Sequence, residues 1–188
     1  MKRRLFEYGG IAASIVLIAF GIGSIAIGAA GVNEVRDKLA QENIVGTDDS
    51  SIPGQKVDTG SEAKAFGDVM RKHALEATGG LTYAEMGRYQ SAADPEDPKG
   101  TSDEAAAAKD ESGEPISNGA RNIWVTETAL ATALNVSFFA ERVAFFSIAM
   151  GVALLLTGIG FLVLTLGGAL RRSEVAEGVA PKTVSATG

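Results

Sequence analysis

Apolar and polar residues fall into long blocks along this chain. From Tyr8 to Asn33 there are 26 consecutive residues without Asp, Glu, Lys or Arg, and from Val143 to Leu170 there are 28. An α-helix rising about 1.5 Å per residue crosses a hydrocarbon core of about 30 Å in roughly 20 apolar residues. Both runs are long enough, so the pattern predicts transmembrane helices at 11–32 and 143–170. A soluble domain of this size could hardly cover two helices that are apolar on every side. The first run has a competing reading as a secretory signal, because Lys2, Arg3 and Arg4 precede it and Ala26, Gly28, Ala29 and Ala30 supply small residues near its end. The apolar core of a signal is about 7–15 residues, shorter than this run, which favours a retained span and leaves cleavage as the alternative.

Between the runs the pattern changes. Glu34 and Lys38 stand at i,i+4, as do Val35 and Leu39, which extends the first helix two or three turns until Gly46 at the latest. Residues 45–60 are dense in turn formers and read as a loop with a short strand near Gln55–Val57. Ser61 is the expected N-cap of a helix whose Phe66, Val69, Met70 and Leu75 share a face and which Gly79-Gly80 stops. Thr82 and Glu85 have capping-box spacing, with Tyr83, Met86 and Tyr89 as apolar anchors. The stretch 92–117 is low in complexity and rich in Asp and Glu, so a flexible, disordered acidic loop is expected. Asn118 then offers a cap for a helix carrying Ile123, Leu130, Leu134 and Phe138, which could run straight into the second span.

Charge sharpens this outline. Residues 33–141 hold 20 Asp plus Glu against 10 Lys plus Arg, a formal charge of −10, whereas both ends are basic. Lys2, Arg3 and Arg4 before the first span, with Arg171 and Arg172 after the second, place both termini in the cytoplasm by the positive-inside rule. The expected organisation is a cytoplasmic N-terminus (1–10), the first span (11–32), an extracytoplasmic acidic domain (33–142), the second span (143–170) and a cytoplasmic tail (171–188). The acidic middle disfavours nucleic acid as a partner. With no cysteine in the chain, disulfides and thiolate-bound metals are excluded.

Small residues recur every seven positions in both spans: Ser14, Gly21 and Gly28 in the first, Ala144, Gly151, Gly158 and Thr165 in the second. Such a seam lets two helices approach closely, and Gly21 is expected to face the second span near Gly158. Trp124, the only tryptophan, either packs in the domain core or lies with Ile123 and Tyr89 on an apolar interaction patch.

Candidate chemistry is sparse. His73 with Glu76 offers two metal ligands from one helix face, too few for a zinc site. The acidic loop lacks the alternating ligands and mid-loop glycine of a calcium loop. Gly21-Ile22-Gly23-Ser24-Ile25-Ala26 formally matches a dinucleotide fingerprint but has no strand before it. Asn135-Val136-Ser137 is a glycosylation sequon close to the membrane. No metal, cofactor or catalytic residue is assigned.

The strings MKRRLFEYGGIAASIVLIAFGIGS, NEVRDKLAQENIVGT, IPGQKVDTGSEAKAFGDVMRKHALEATGG, TYAEMGRY, NGARNIWVTETALATALN and FFAERVAFFSIAMGVALLLTGIGFLVLTLGG cover most of the chain. In them it resembles a family of actinobacterial two-span membrane proteins of unknown function that often bear the label of an aromatic ring-opening dioxygenase. A non-haem iron site of the facial-triad kind needs two histidines and a carboxylate, and one histidine is present, so that activity is not carried over. The expectation is a mainly α membrane protein of the plasma membrane, a transmembrane hairpin holding a mostly helical outer domain. It would be a non-enzymatic interaction or accessory protein whose partners are the lipid bilayer, another membrane or extracytoplasmic protein, or further copies of itself. A small-molecule or cation sensor is the alternative, and an enzyme of unidentified type the third.

Overall fold

The computed structural model describes residues 2–167, with side chains described from Glu7 onward. The last three residues of the expected second span and the tail 171–188 lie outside it. Three α-helices are present among the described residues: α1 (Lys2–Gln41), α2 (Gly60–Ala77) and α3 (Gly119–Leu166). Among the described residues there are also two single 3-10 turns, Tyr83–Glu85 and Glu104–Ala106, and no strand longer than an isolated bridge.

α1 and α3 are long and apolar enough to cross a membrane. Only 17 % of each apolar window is buried, the opposite of what the core helix of a soluble protein shows. α1 reaches Gln41, and the chain turns at Asn43, whose φ of 52° is a left-handed conformation that asparagine tolerates better than most residues. α3 is one helix, so the segment expected to precede the second span and the span itself share a single element.

The chain divides into two units, one of residues up to Ala30 and from Ala144 onward, the other of Gly31–Val143. The first is an apolar pair formed by stretches of α1 and α3. Gly28 lies against Ala144 and Ile148, Gly21 against Gly151 and Leu155, and Gly10 against Thr165. Ascending numbers on one helix meet descending numbers on the other, so the pair is antiparallel.

The second unit, the polar domain, has two small cores. Leu39, Val57, Ala63, Phe66, Val69 and Leu134 form one, and Ala74, Met86 and Trp124 the other. α2 begins two residues earlier than the sequence reading placed it. Thr59, not Ser61, is the N-cap, and a full capping box joins it to Glu62. Both positions carry a hydroxyl, but only Thr59 has a glutamate three residues on. The strand expected near Gln55–Val57 is reduced to one antiparallel bridge, Val45 to Lys56, closed by Gly46 N–H donating to Gln55 O at 2.8 Å.

The largest difference concerns residues 92–117, expected as a disordered loop. This segment has a defined, hydrogen-bonded path. Tyr89 pairs with Thr101, and Gln90 is bonded to Ala108 and Ile116. The aspartates that suggested disorder hold the turns: Asp94, Asp97, Asp103 and Asp110 each accept the backbone N–H two residues on, at 2.9–3.1 Å. These are Asx turns, in which the carboxylate mimics a backbone carbonyl. Gly100, at φ 58°, closes one of them where a Cβ would meet Asn118 Nδ2 at 2.6 Å.

Candidate functional site

Asn118 is the hub of the polar domain's loop face. It is 3 % exposed; its Oδ1 accepts the Ala120 N–H at 3.0 Å, and its Nδ2 donates to Gly87 O at 3.1 Å and Pro98 O at 3.0 Å. The expected cap of α3 thus also anchors two loop segments. Beside it lies an open groove of about 290 Å³, lined by residues that include Gln90, Pro95, Glu96, Asp97 and Ile123.

Trp124 is 7 % exposed and packs with Ala74 and Met86, while the Arg71 guanidinium sits 5.3 Å from its ring centroid. Its place is in the core, and the exposed patch with Ile123 and Tyr89 does not form. Ile123 is 43 % exposed, and Tyr89 is half-buried with its hydroxyl 3.4 Å from Glu104. Tyr83, expected as an anchor, is 44 % exposed and carries the Arg121 guanidinium 3.9 Å above its ring.

A buried carboxylate that the sequence reading did not single out lies at the other end of the polar domain. Glu141 is 3 % exposed, takes the Arg36 Nε–H at 2.8 Å and accepts the N–H of Gly60, the first residue of α2, at 3.2 Å. One side chain therefore links α1, α2 and α3. It satisfies an orphan N–H at a helix start and sets a negative charge against the positive end of the dipole. Its hydrogen bond is the main cause that raises the Arg36 guanidinium above its already high range. The signal in the sequence is a glutamate at the border of the second apolar run.

His73 does not meet Glu76 in a metal site. Its Nε2 lies 3.0 Å from Asp49 Oδ2, which also receives Lys72 Nζ at 2.9 Å. Lys72, then Thr47 and His73, hold the Asp49 carboxyl far below the usual carboxylate range, an arrangement that is half-exposed and cross-braces a loop to α2. No group of three or more potential metal ligands occurs among the described residues.

In the apolar pair, Ser14, Gly21, Gly28, Ala144, Gly151, Gly158 and Thr165 are all buried. The register differs by one heptad from the expected contact. Gly21 approaches Gly151 and Leu155, and Gly158 instead meets Leu17 and Ile18. Ser14 donates to Gly10 O at 2.7 Å and Thr165 to Phe161 O at 2.8 Å, so these hydroxyls are satisfied within their own helices.

Comparison of the chain with family models, curated proteins and solved structures finds no match in any of the three.

Proposed function

We propose that this chain is a membrane-anchored interaction or accessory protein without enzymatic activity, inserted in the plasma membrane as a hairpin with both termini in the cytoplasm. The observation that supports this best is the surface of α3 within the polar domain. Val125, Val136 and Phe139 are 50 %, 60 % and 68 % exposed although apolar residues of this size normally enter a core. Exposed apolar side chains grouped on one face mark contact surfaces more often than catalytic ones. The contact reading thereby moves from Trp124, which serves the core, to exposed residues further round the same helix. Affinity purification of the full chain from its native membrane, with and without Phe139→Glu, tests it: a co-purifying species lost in the variant is expected. The same recovery for both proteins, or none for either, counts against it.

A sensor is the second reading, favoured by the groove of about 290 Å³ beside the start of α3. A ligand held there would stabilise the folded state by mass action. Titration of the purified chain with calcium and magnesium should then raise its melting temperature.

A further inference from the structure

One pattern on α3 serves neither of the domain's cores. Phe138, Phe139, Phe145 and Phe146, half of the chain's 8 phenylalanines, stand at i−4, i−3, i+3 and i+4 from Arg142. Those are the four positions that neighbour a residue along one side of a helix. α3 is uninterrupted from Gly119 to Leu166, so the spacing holds in space. Phe139, Phe145 and Phe146 are exposed and Phe138 is half-buried. Arg142 is exposed as well, and its guanidinium lies 5.0 Å from the Phe138 ring centroid.

Charge and position set the chemistry of the partner. Glu141, next in the chain, is buried and committed to Arg36 and Gly60. Among the described residues no carboxylate lies within ion-pair distance of Arg142, so its charge is left for an anion from outside the chain. Val143 then opens the run without ionisable residues. With that run in hydrocarbon, Arg142 stands where acyl chains meet headgroups, and the anions concentrated at that depth are lipid phosphates. A guanidinium suits them: it is planar, stacks on ring faces, and presents paired N–H groups to two oxygens of one phosphate. A second copy would bring another Arg142 and another segment of charge −10 against the first. A protein carboxylate would answer the charge but leave Phe145 and Phe146, on the membrane side of Arg142, without the acyl surroundings that solvate them. We propose that Arg142, framed by these four phenylalanines, binds the phosphodiester of a phospholipid in the leaflet next to the polar domain. This rests on the membrane insertion proposed above and is independent of the protein contact. The guanidinium donates to the phosphate oxygens while the phenyl groups lie against the upper acyl chains.

The test uses the full-length chain in dodecyl maltoside, titrated with dioleoyl phosphatidylglycerol or with dioleoylglycerol, which has the same acyl chains and no phosphate. Bound lipid is counted by native mass spectrometry. The parent should retain phosphatidylglycerol in preference to dioleoylglycerol, and inorganic phosphate should not displace it. Arg142→Gln should weaken phosphatidylglycerol binding about tenfold, with the melting temperature and helix content of the parent. Lys109→Gln, which removes an exposed cation from the loop face, should leave binding unchanged. A second measurement needs no variant: phosphatidylglycerol, and not dioleoylglycerol, should slow modification of Arg142 by phenylglyoxal, read by peptide mass. Equal binding by the parent and Arg142→Gln, equal retention of the two lipids, or an Arg142 that phosphatidylglycerol fails to protect overturns the proposal. Displacement by inorganic phosphate overturns it too, because the site would then belong to a soluble anion. So does a co-purifying protein that Arg142→Gln loses while its lipid is kept. Extraction of the chain from native membranes by alkaline carbonate would sink the insertion reading itself. If the chain resists carbonate while lipid binding ignores Arg142, only the lipid site fails.

Discussion

Trp124 shows how one side chain can serve either fold or contact, and what decides between them. Its burial against Ala74 and Met86 makes it the largest member of a very small core, with few neighbours able to fill the space it would leave. Trp124→Ala should therefore cost about 3–5 kcal/mol and lower the thermal midpoint, read by scanning calorimetry of the full chain in detergent. Val125→Ala, next in sequence but facing outward, should leave that midpoint nearly unchanged. Glu62 supplies a second residue-scale expectation, one that depends on pH. Burial alone would raise its carboxyl, but the N–H groups of Asp58 and Thr59 and the Thr59 hydroxyl together outweigh that and lower it. A depressed folded value means that the contribution is complete above the ordinary glutamate range and is lost as pH falls through the lower folded value. Hydrogen-exchange protection of the first turn of α2 should thus persist at pH 5 and disappear only below the ordinary range. In Glu62→Gln the acid-dependent step should be absent.

At the scale of elements, what could be read beforehand was whatever depends on spacing within one segment. The capping residues Thr82 with Glu85 and Asn118 and the close-packed glycines follow from local period and composition, whereas the stripe expected on α3 fails: Leu134 is buried, but Ile123 and Leu130 are exposed, and Trp124, Ala131 and Glu141 face inward in their place. What could not be read depends on register between segments. Sevenfold spacing places Gly21 and Gly158 each on a seam but does not say which rung meets which, and the helices settle with Gly21 at Gly151. The order of the acidic loop is hidden in the sequence for a different reason. Composition counts an aspartate as charge, whereas Asp94, Asp97, Asp103 and Asp110 act as local acceptors that replace a missing ladder partner. Asp110, with three donors from Ser112 and Glu114, is the clearest case, and its carboxyl is lowered first by the Ser112 hydroxyl. Asp110→Ala should speed amide exchange at Ser112 and Glu114 at least tenfold and leave α2 protected. In the apolar pair, Gly21 would place a Cβ 2.8 Å from Gly151 O and 2.7 Å from Leu155 N, backbone atoms that cannot swing aside. Gly21→Leu should separate the helices, and a Ser24→Cys, Ile148→Cys pair that crosslinks within one chain of the parent should then fail to do so.

On the scale of the whole molecule, the segregation of charge is the feature to explain. α1 and α3 share an apolar section whose outer surface is bare, and between those sections the chain holds a domain rich in carboxylates. In water the bare surface would aggregate; in a bilayer it is solvated, and the cost of moving the −10 segment through the hydrocarbon fixes that segment on one side. In the hairpin proposed above, the positive-inside rule would put that segment outside, because Lys2, Arg3 and Arg4 stand before the first span and Arg171 with Arg172 after the second. Single cysteines at Gly60, Gly100 and Gly119 should accordingly react with a membrane-impermeant maleimide on intact cells, and those at Lys2 and Ser185 only after permeabilisation. Gly60 and Gly100 sit where a side chain is crowded, so Asp48→Cys and Ser102→Cys, both exposed, give the same reading without strain on the fold. Labelling at Ser185 on intact cells would break the hairpin. Labelling at Lys2 on intact cells would place the N-terminus outside and overturn the proposed orientation of the first span.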